Sequence, residues 1–320
     1  MKKVVVLGGG NGMSAILQGL KKYPVDISSV VSVCDDGKST GRLREEFNTP
    51  AVGDLRRIIA ALSEAEPEFC NLFNYRFKTT SDLNNHVVGN LILTAIFNTF
   101  ENIQDGIEML ERVMKVKGKV IPYTLEKPVL VGKMKDGTTI IGEHNITLSE
   151  PQVDSVKYKR KVKVNPAVLK AIKEADLIIL SMGSLYTSII PNLLGKELIS
   201  TIDNCKAKIM YVANMMTQPG ETDNYKTSDH VNVLNNYLGT RKIEVVIANN
   251  GHISEELLKK YETLEQKEQV VFDKENLNGV EVIDDNFVAI GQDKIRYNPE
   301  KLSLAIYKYL VESSEQNVIY

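Results

Sequence analysis

From Val4 to Ser14 the chain reads VVVLGGGNGMS, an apolar strand that runs directly into four glycines within five residues. A buried strand, a glycine-rich turn and a helix bring backbone N–H groups and the positive end of a helix dipole to one point, where a phosphate is readily held. Gly8, Gly10 and Met13 fail the G-x-G-x-x-G pattern, whereas Gly10, Gly12 and Ala15 satisfy its looser G-x-G-x-x-A form. Glycines this dense cost backbone entropy that a plain connecting turn would not require. Gly9, Gly10, Asn11, Gly12 and Met13 are therefore the first candidate contacts, to the phosphates of a nucleotide or nucleotide-sugar.

The segment that follows keeps the same rhythm. A helix over Met13 to Lys22 leads to a strand over Ile27 to Val33, giving a β-α-β unit and hence a parallel sheet covered by helices. With 320 residues, 43% of them apolar, the chain can bury a sizeable core and is read as a single domain over 1–320. A net charge of −2 with both signs intermixed argues against a dedicated nucleic-acid binder. Cys34, Cys70 and Cys205 are far apart and form no CxxC pair, which fits reduced thiols. The apolar run at the start is too short for a signal-peptide core and no other run reaches a membrane span, so a cytoplasmic protein is expected.

Past the second strand lies CDDGKSTGR. Asp35 and Asp36 stand where a dinucleotide fold carries its ribose-binding acid, and paired carboxylates could instead hold Mg²⁺ beside phosphates; a solvated turn is the plain alternative. Gly37 to Thr40 imitates the end of a Walker A loop but lacks its first glycine, which falls on Ser32. Asp54 is a candidate N-cap for the helix GDLRRIIAALSE. Arg56 and Arg57 lie in its first turn, where the dipole disfavours cations, so either an anion or a carboxylate such as Asp35 or Asp36 lies opposite, or they are surface arginines on a helix long enough to tolerate them. Ahead of the apolar helix NLILTAIFNTF, His86 reads as a hydrogen-bonded structural residue, while Gly89 and Asn90 would let a ligand approach closely.

From 119 to 164 short alternating strands read as a small antiparallel insert, with Asp136-Gly137 as a hairpin turn and the basic stretch VKYKRKVKV as a protected edge strand. The α/β rhythm then resumes. Two later strands end in polar turns at the sheet edge where open α/β folds place ligands: Gly183, Ser184, Tyr186, Thr187 and Ser188 in the first, Asn214 to Thr222 in the second, with Thr217 among its candidates. No Gly-x-Ser-x-Gly surrounds Ser184, which excludes a hydrolase nucleophile elbow. Thr227, Ser228 and Asp229 read as a helix cap, Tyr261 as a surface tyrosine, and Arg296 as a strand-end arginine able to reach a phosphate.

Taken together, GGGNGMS, CDDGKSTGRLR, GDLRR, HVVGN, GSLYTSIIPNLL and MTQPGETDNY, in that order, resemble the YvcK-like gluconeogenesis factor family, within the group that includes the CofD-type 2-phospho-L-lactate transferases. Lys38 stands where that family usually has glycine, and Ser181-Met182 where it has Gly-Pro. The resemblance implies an α/β, Rossmann-like protein that binds UDP-sugars such as UDP-N-acetylglucosamine and links central carbon metabolism to cell-wall synthesis and cell shape. Ligand contacts are then expected from the glycine turn, Asp35, Asp36, Ser39, Asp54, Arg56, Asn90, the Ser184 and Thr217 turns and Arg296, and a homo-oligomer is compatible with the pattern. The alternative is an Mg²⁺-dependent transferase of a nucleoside-diphosphate-linked phospholactyl group, with Asp35 and Asp36 near the metal and Arg56 neutralising phosphate charge. An NAD(P)-dependent oxidoreductase has the same rhythm but no recognisable hydride-transfer acid or base.

Overall fold

The computed structural model describes residues 1–291 and 294–315. The chain opens with β1 (Lys2–Gly8), α1 (Gly10–Leu20) and β2 (Val25–Val31), then lays down α2 (Lys38–Glu46), α3 (Gly53–Leu62), α4 (Pro67–Phe73), α5 (Val88–Thr99) and α6 (Ile103–Val113) before β3 (Lys119–Pro122). A small unit follows, made of β4 (Leu130–Met134), β5 (Thr139–Ile141), α7 (Glu143–Thr147) and β6 (Val153–Tyr158). Alternation then returns with α8 (Pro166–Glu174), β7 (Leu177–Leu180), α9 (Lys196–Asp203), β8 (Lys208–Val212), α10 (Thr227–Tyr237), β9 (Val245–Asn249), α11 (Glu255–Glu265) and β10 (Glu281–Asp285). A hairpin, β11 (Val288–Gly291) and β12 (Lys294–Tyr297), leads into α12 (Pro299–Glu315).

Seven strands form one sheet in the order β10-β9-β8-β7-β1-β2-β3, and every neighbouring pair is parallel. Both faces of such a sheet are covered, so its strands are apolar on both sides. Val4 and Val6 face the core shared with α1 and α3, while Val5 and Leu7 face the other, which holds α8, α9 and α10. The helices begin where the sequence provides for it. Asn165 caps α8 through the Ala167 N–H at 3.0 Å ahead of Pro166, and Ser254 caps α11 through Leu257 N at 3.4 Å. Among the described residues no helix is long and apolar enough to cross a membrane, and Cys34, Cys70 and Cys205 are free thiols.

The antiparallel insert is smaller than the texture of 119–164 suggests. Lys119–Pro122 pairs in parallel with β2, from Ser28 opposite Lys119 to Val31 opposite Pro122, and forms the edge of the main sheet. Strands β5-β4-β6 make the insert proper, and the Asp136-Gly137 turn joins β4 to β5. Its third strand is Val153–Tyr158, so the basic run continues past the edge strand instead of lying wholly within it.

Candidate functional site

The strand order reverses at β1: from there the chain moves outward through β2 and β3, then returns to β7 on the other side. The turns leaving β1 and β7 must therefore diverge, and they leave a crevice at the carboxyl ends of the strands. A cavity of about 350 Å³ occupies it. Asn11 and Gly12 supply one wall and Gly183, Ser184, Asn214 and Thr217 the opposite one. Met215, Met216, Tyr261 and Tyr297 add apolar surface, and Lys267, Lys294 and Arg296 add positive charge beside Glu265.

Two glycines of the first turn have definite structural reasons. Gly10 adopts φ +67°, where a side chain is strained, and a Cβ on Gly12 would stand 2.1 Å from the Met182 carbonyl oxygen, so α1 can approach the β7 turn only at glycine. The turn also has a partner from within the chain. The Gly10 N–H donates to Asp54 Oδ2 at 3.0 Å, and Asp54 is ion-paired to Arg57. Burial raises the Asp54 pKa, against the pull of Arg57. Asp54 thus lies inside the first turn of α3 and reaches across to the α1 terminus, rather than capping its own helix. Of the five residues expected to face phosphates, Asn11 and Gly12 line the cavity, Gly9 and Gly10 lie under Asp54, and Met13 is fully buried in the core.

The polar turns opposite are largely engaged with each other. The Asn214 amide accepts from Gly183 N at 3.0 Å and donates to Gly183 O at 2.7 Å, which sets the shape of the β7 turn. Ser184 Oγ donates to the Glu221 carboxylate at 2.7 Å and accepts from Thr187 N at 3.1 Å. Tyr186 and Thr187 lie in the π-helical turn below the wall, where Tyr186 N donates to Glu221 at 3.1 Å; neither side chain lines the cavity. Thr217 lines it but is tied to the segment after α11, its N–H donating to Glu268 O at 2.8 Å and its hydroxyl accepting from Glu268 N at 2.9 Å.

Asp35, Ser39, Arg56 and Asn90 line a second cavity of about 180 Å³, together with Lys38, Arg57, Arg76 and His144. No residue lines both cavities. Among the described residues Arg56 meets no carboxylate: it donates to Asn74 Oδ1 at 2.8 Å and Asn90 Oδ1 at 3.4 Å. Asp36 turns away and accepts from Glu143 N at 3.2 Å and His144 N at 2.7 Å, tethering the insert through α7. Asp35 accepts from Gly37 N at 2.9 Å. The two acids do not converge, and among the described residues no group of three His, Cys, Asp or Glu is placed to hold a metal ion. A magnesium site built on both acids is therefore not formed, while Asp35 by itself faces the second cavity. His86 is structural, as its position suggests: buried, with Nδ1 at 2.9 Å from Ser39 Oγ.

Several residues of the site carry no local signal. Glu221 is fully buried, with its pKa raised by that burial, and it organises the Ser184 turn from 37 residues away. Tyr261, expected at the surface, is buried; its hydroxyl accepts from Ile295 N at 2.8 Å and its ring lines the first cavity. Lys267 and Lys294 arrive from segments that only the fold brings to the crevice. The glutamate in MTQPGETDNY was the one legible hint, an acid inside a long strand-to-helix loop.

Sheet order, crevice position and a glycine turn facing two polar turns define a Rossmann-like α/β protein with a cavity at the switch between β1 and β7. The chain belongs to the CofD family: residues 4–288 match 2-phospho-L-lactate transferase CofD. It is similar to the gluconeogenesis factor of Bacillus subtilis, 40% identical over 313 residues that cover 97% of this chain and 98% of the relative. The gluconeogenesis factor of Listeria innocua is 39% identical over 315 residues, covering 98% and 97%. A crystal structure of a Bacillus halodurans protein superposes with a TM-score of 0.93 at 39% identity, covering 96% of this chain and 99% of that one.

Proposed function

We propose that this chain is a cytoplasmic regulatory protein that binds a nucleotide-sugar of the UDP-N-acetylglucosamine type and ties gluconeogenic carbon flow to cell-wall synthesis and cell shape. The observation that carries the binding part is the composition of the first cavity. It joins a helix N-terminus at Asn11 and Gly12 to apolar surface from Met215, Met216, Tyr261 and Tyr297, with Lys267, Lys294 and Arg296 beside them. A diphosphate bridging a flat base and a sugar needs those three things: backbone donors and cations for the charge, apolar faces for the base, and polar groups for the sugar. The metabolic role rests on similarity to proteins named gluconeogenesis factor.

The match to a transferase family supports one competing reading, in which a phospholactyl group is moved with the help of Mg²⁺. The divergence of Asp35 and Asp36 counts against it. Thermal unfolding with a ligand panel separates the two. UDP-N-acetylglucosamine in EDTA should stabilise the protein, by about 2.7 kcal/mol at a hundred times its Kd, and Arg296→Ala should remove most of that gain. Stabilisation only by guanine nucleotides with Mg²⁺ would overturn the regulatory reading in favour of the transferase.

A further inference from the structure

We propose that the second cavity, between α2, α3 and α5, is a separate site for a small phosphorylated metabolite, filled at the same time as the first. Two helices of nine and ten residues begin at its walls, α2 at Lys38 and α3 at Gly53, and Asn90 from the first turn of α5 completes them. The positive ends of α2 and α3 face that space. Lys38, Arg56, Arg57 and Arg76 line that space against a single carboxylate, Asp35. Arg57 is offset by Asp54 from outside the cavity, which leaves three cations facing one acid.

Arg56 is the strongest sign that something is to be bound there. It is half-buried, its side-chain hydrogen bonds go to the neutral amides of Asn74 and Asn90, and among the described residues no carboxylate comes within ion-pairing distance. Burial, then the neighbouring Arg57 and Arg76, push its pKa down to about 10. Holding a half-buried guanidinium beside other cations is unfavourable unless a counter-ion joins them. Guanidinium forks and helix N-termini both match a phosphate. The cavity is about half the volume of the first, which suits a phosphate carrying a few carbons. Asp35 would then accept from a hydroxyl on the ligand. The Asp54–Arg57 pair stands beside both this cavity and the Gly10 turn, so the two sites are close but separate.

Titration calorimetry of the full chain with inorganic phosphate tests this without relying on the nucleotide-sugar reading. With the first cavity filled by saturating UDP-N-acetylglucosamine, one equivalent of phosphate should still bind. Arg56→Gln should weaken phosphate binding about tenfold or more, the loss of one charged hydrogen bond, and Asp35→Asn should tighten it. Arg76→Gln, on an exposed residue, should weaken it too and guards against a folding defect in the Arg56 variant. No phosphate binding, loss of all phosphate binding in the presence of the nucleotide-sugar, or wild-type affinity in both arginine variants would each overturn the second site. Phosphate binding without any response to UDP-N-acetylglucosamine would uphold this site and sink the proposed function instead.

Discussion

Asp54 Oδ2 accepts the backbone N–H of Gly10 at 3.0 Å, so a carboxylate from α3 occupies a donor of the glycine turn. The bond joins two elements 44 residues apart and holds the α1 terminus against α3. Asp54→Ala leaves that N–H without its acceptor and Arg57 without its partner. Urea unfolding should show a loss of about 1–3 kcal/mol, equal in EDTA and in Mg²⁺. A loss seen only when Mg²⁺ is present would make Asp54 a metal ligand instead.

Lys38 adopts φ 46°, the left-handed region. A side chain there costs about 1–2 kcal/mol, whereas glycine adds about 0.5–1 kcal/mol of unfolded-chain entropy. Lys38→Gly should therefore raise stability by about 1 kcal/mol and, by removing a cation from the second cavity, weaken phosphate binding. Unchanged or reduced stability would mean that Lys38 makes a compensating contact.

Glu221 is fully buried and serves as acceptor for Ser184, Tyr186 and Thr187. Glu221→Ala strands these donors, at about 1–3 kcal/mol for each that finds no water. The expected outcome is a protein that melts well below the wild type and loses UDP-N-acetylglucosamine binding with its wall. Ser184→Ala, which removes one of the three donors, should bind the ligand nearly as well as wild type. Complete loss in Ser184→Ala would show that its hydroxyl contacts the ligand directly.

Burial lifts Glu111 to about 7 and Glu143 to about 8, from the ordinary 4.5; the nearby Asp35 adds to the Glu143 shift. A folded pKa above the unfolded one means the folded chain holds protons that the unfolded chain has released between pH 4.5 and 8. Stability therefore falls as pH rises through that window, by at most about 1.4 kcal/mol per pH unit for each group. Glu111→Gln and Glu143→Gln should each flatten the slope in chemical denaturation series. Identical slopes in wild type and both variants would show that these carboxyls titrate normally.

Much of this was legible along the chain. The βα alternation, the glycine turn, the caps at Asn165 and Ser254 and the Asp136-Gly137 hairpin are local signals, set by residues a few positions apart. Lys119–Pro122 was misplaced because a short apolar strand reads the same in either sheet, and only its partner β2 decides between them. Tyr261 follows Leu257 by four residues on the apolar stripe of α11, a spacing that already favoured burial, and the β11–β12 hairpin takes its hydroxyl.

The sequence by itself determined an α/β fold of the CofD family and the turns that would meet at its site. Tertiary structure alone decided that these residues divide into two cavities, with Asn11, Gly12, Gly183, Asn214 and Arg296 at one and Asp35, Ser39, Arg56 and Asn90 at the other. The physical reason is that charge balance is a property of neighbours in space. Asp54 neutralises Arg57 and fills Gly10, Asp36 is taken by α7, and Arg56 is left among arginines with only amides to hold it.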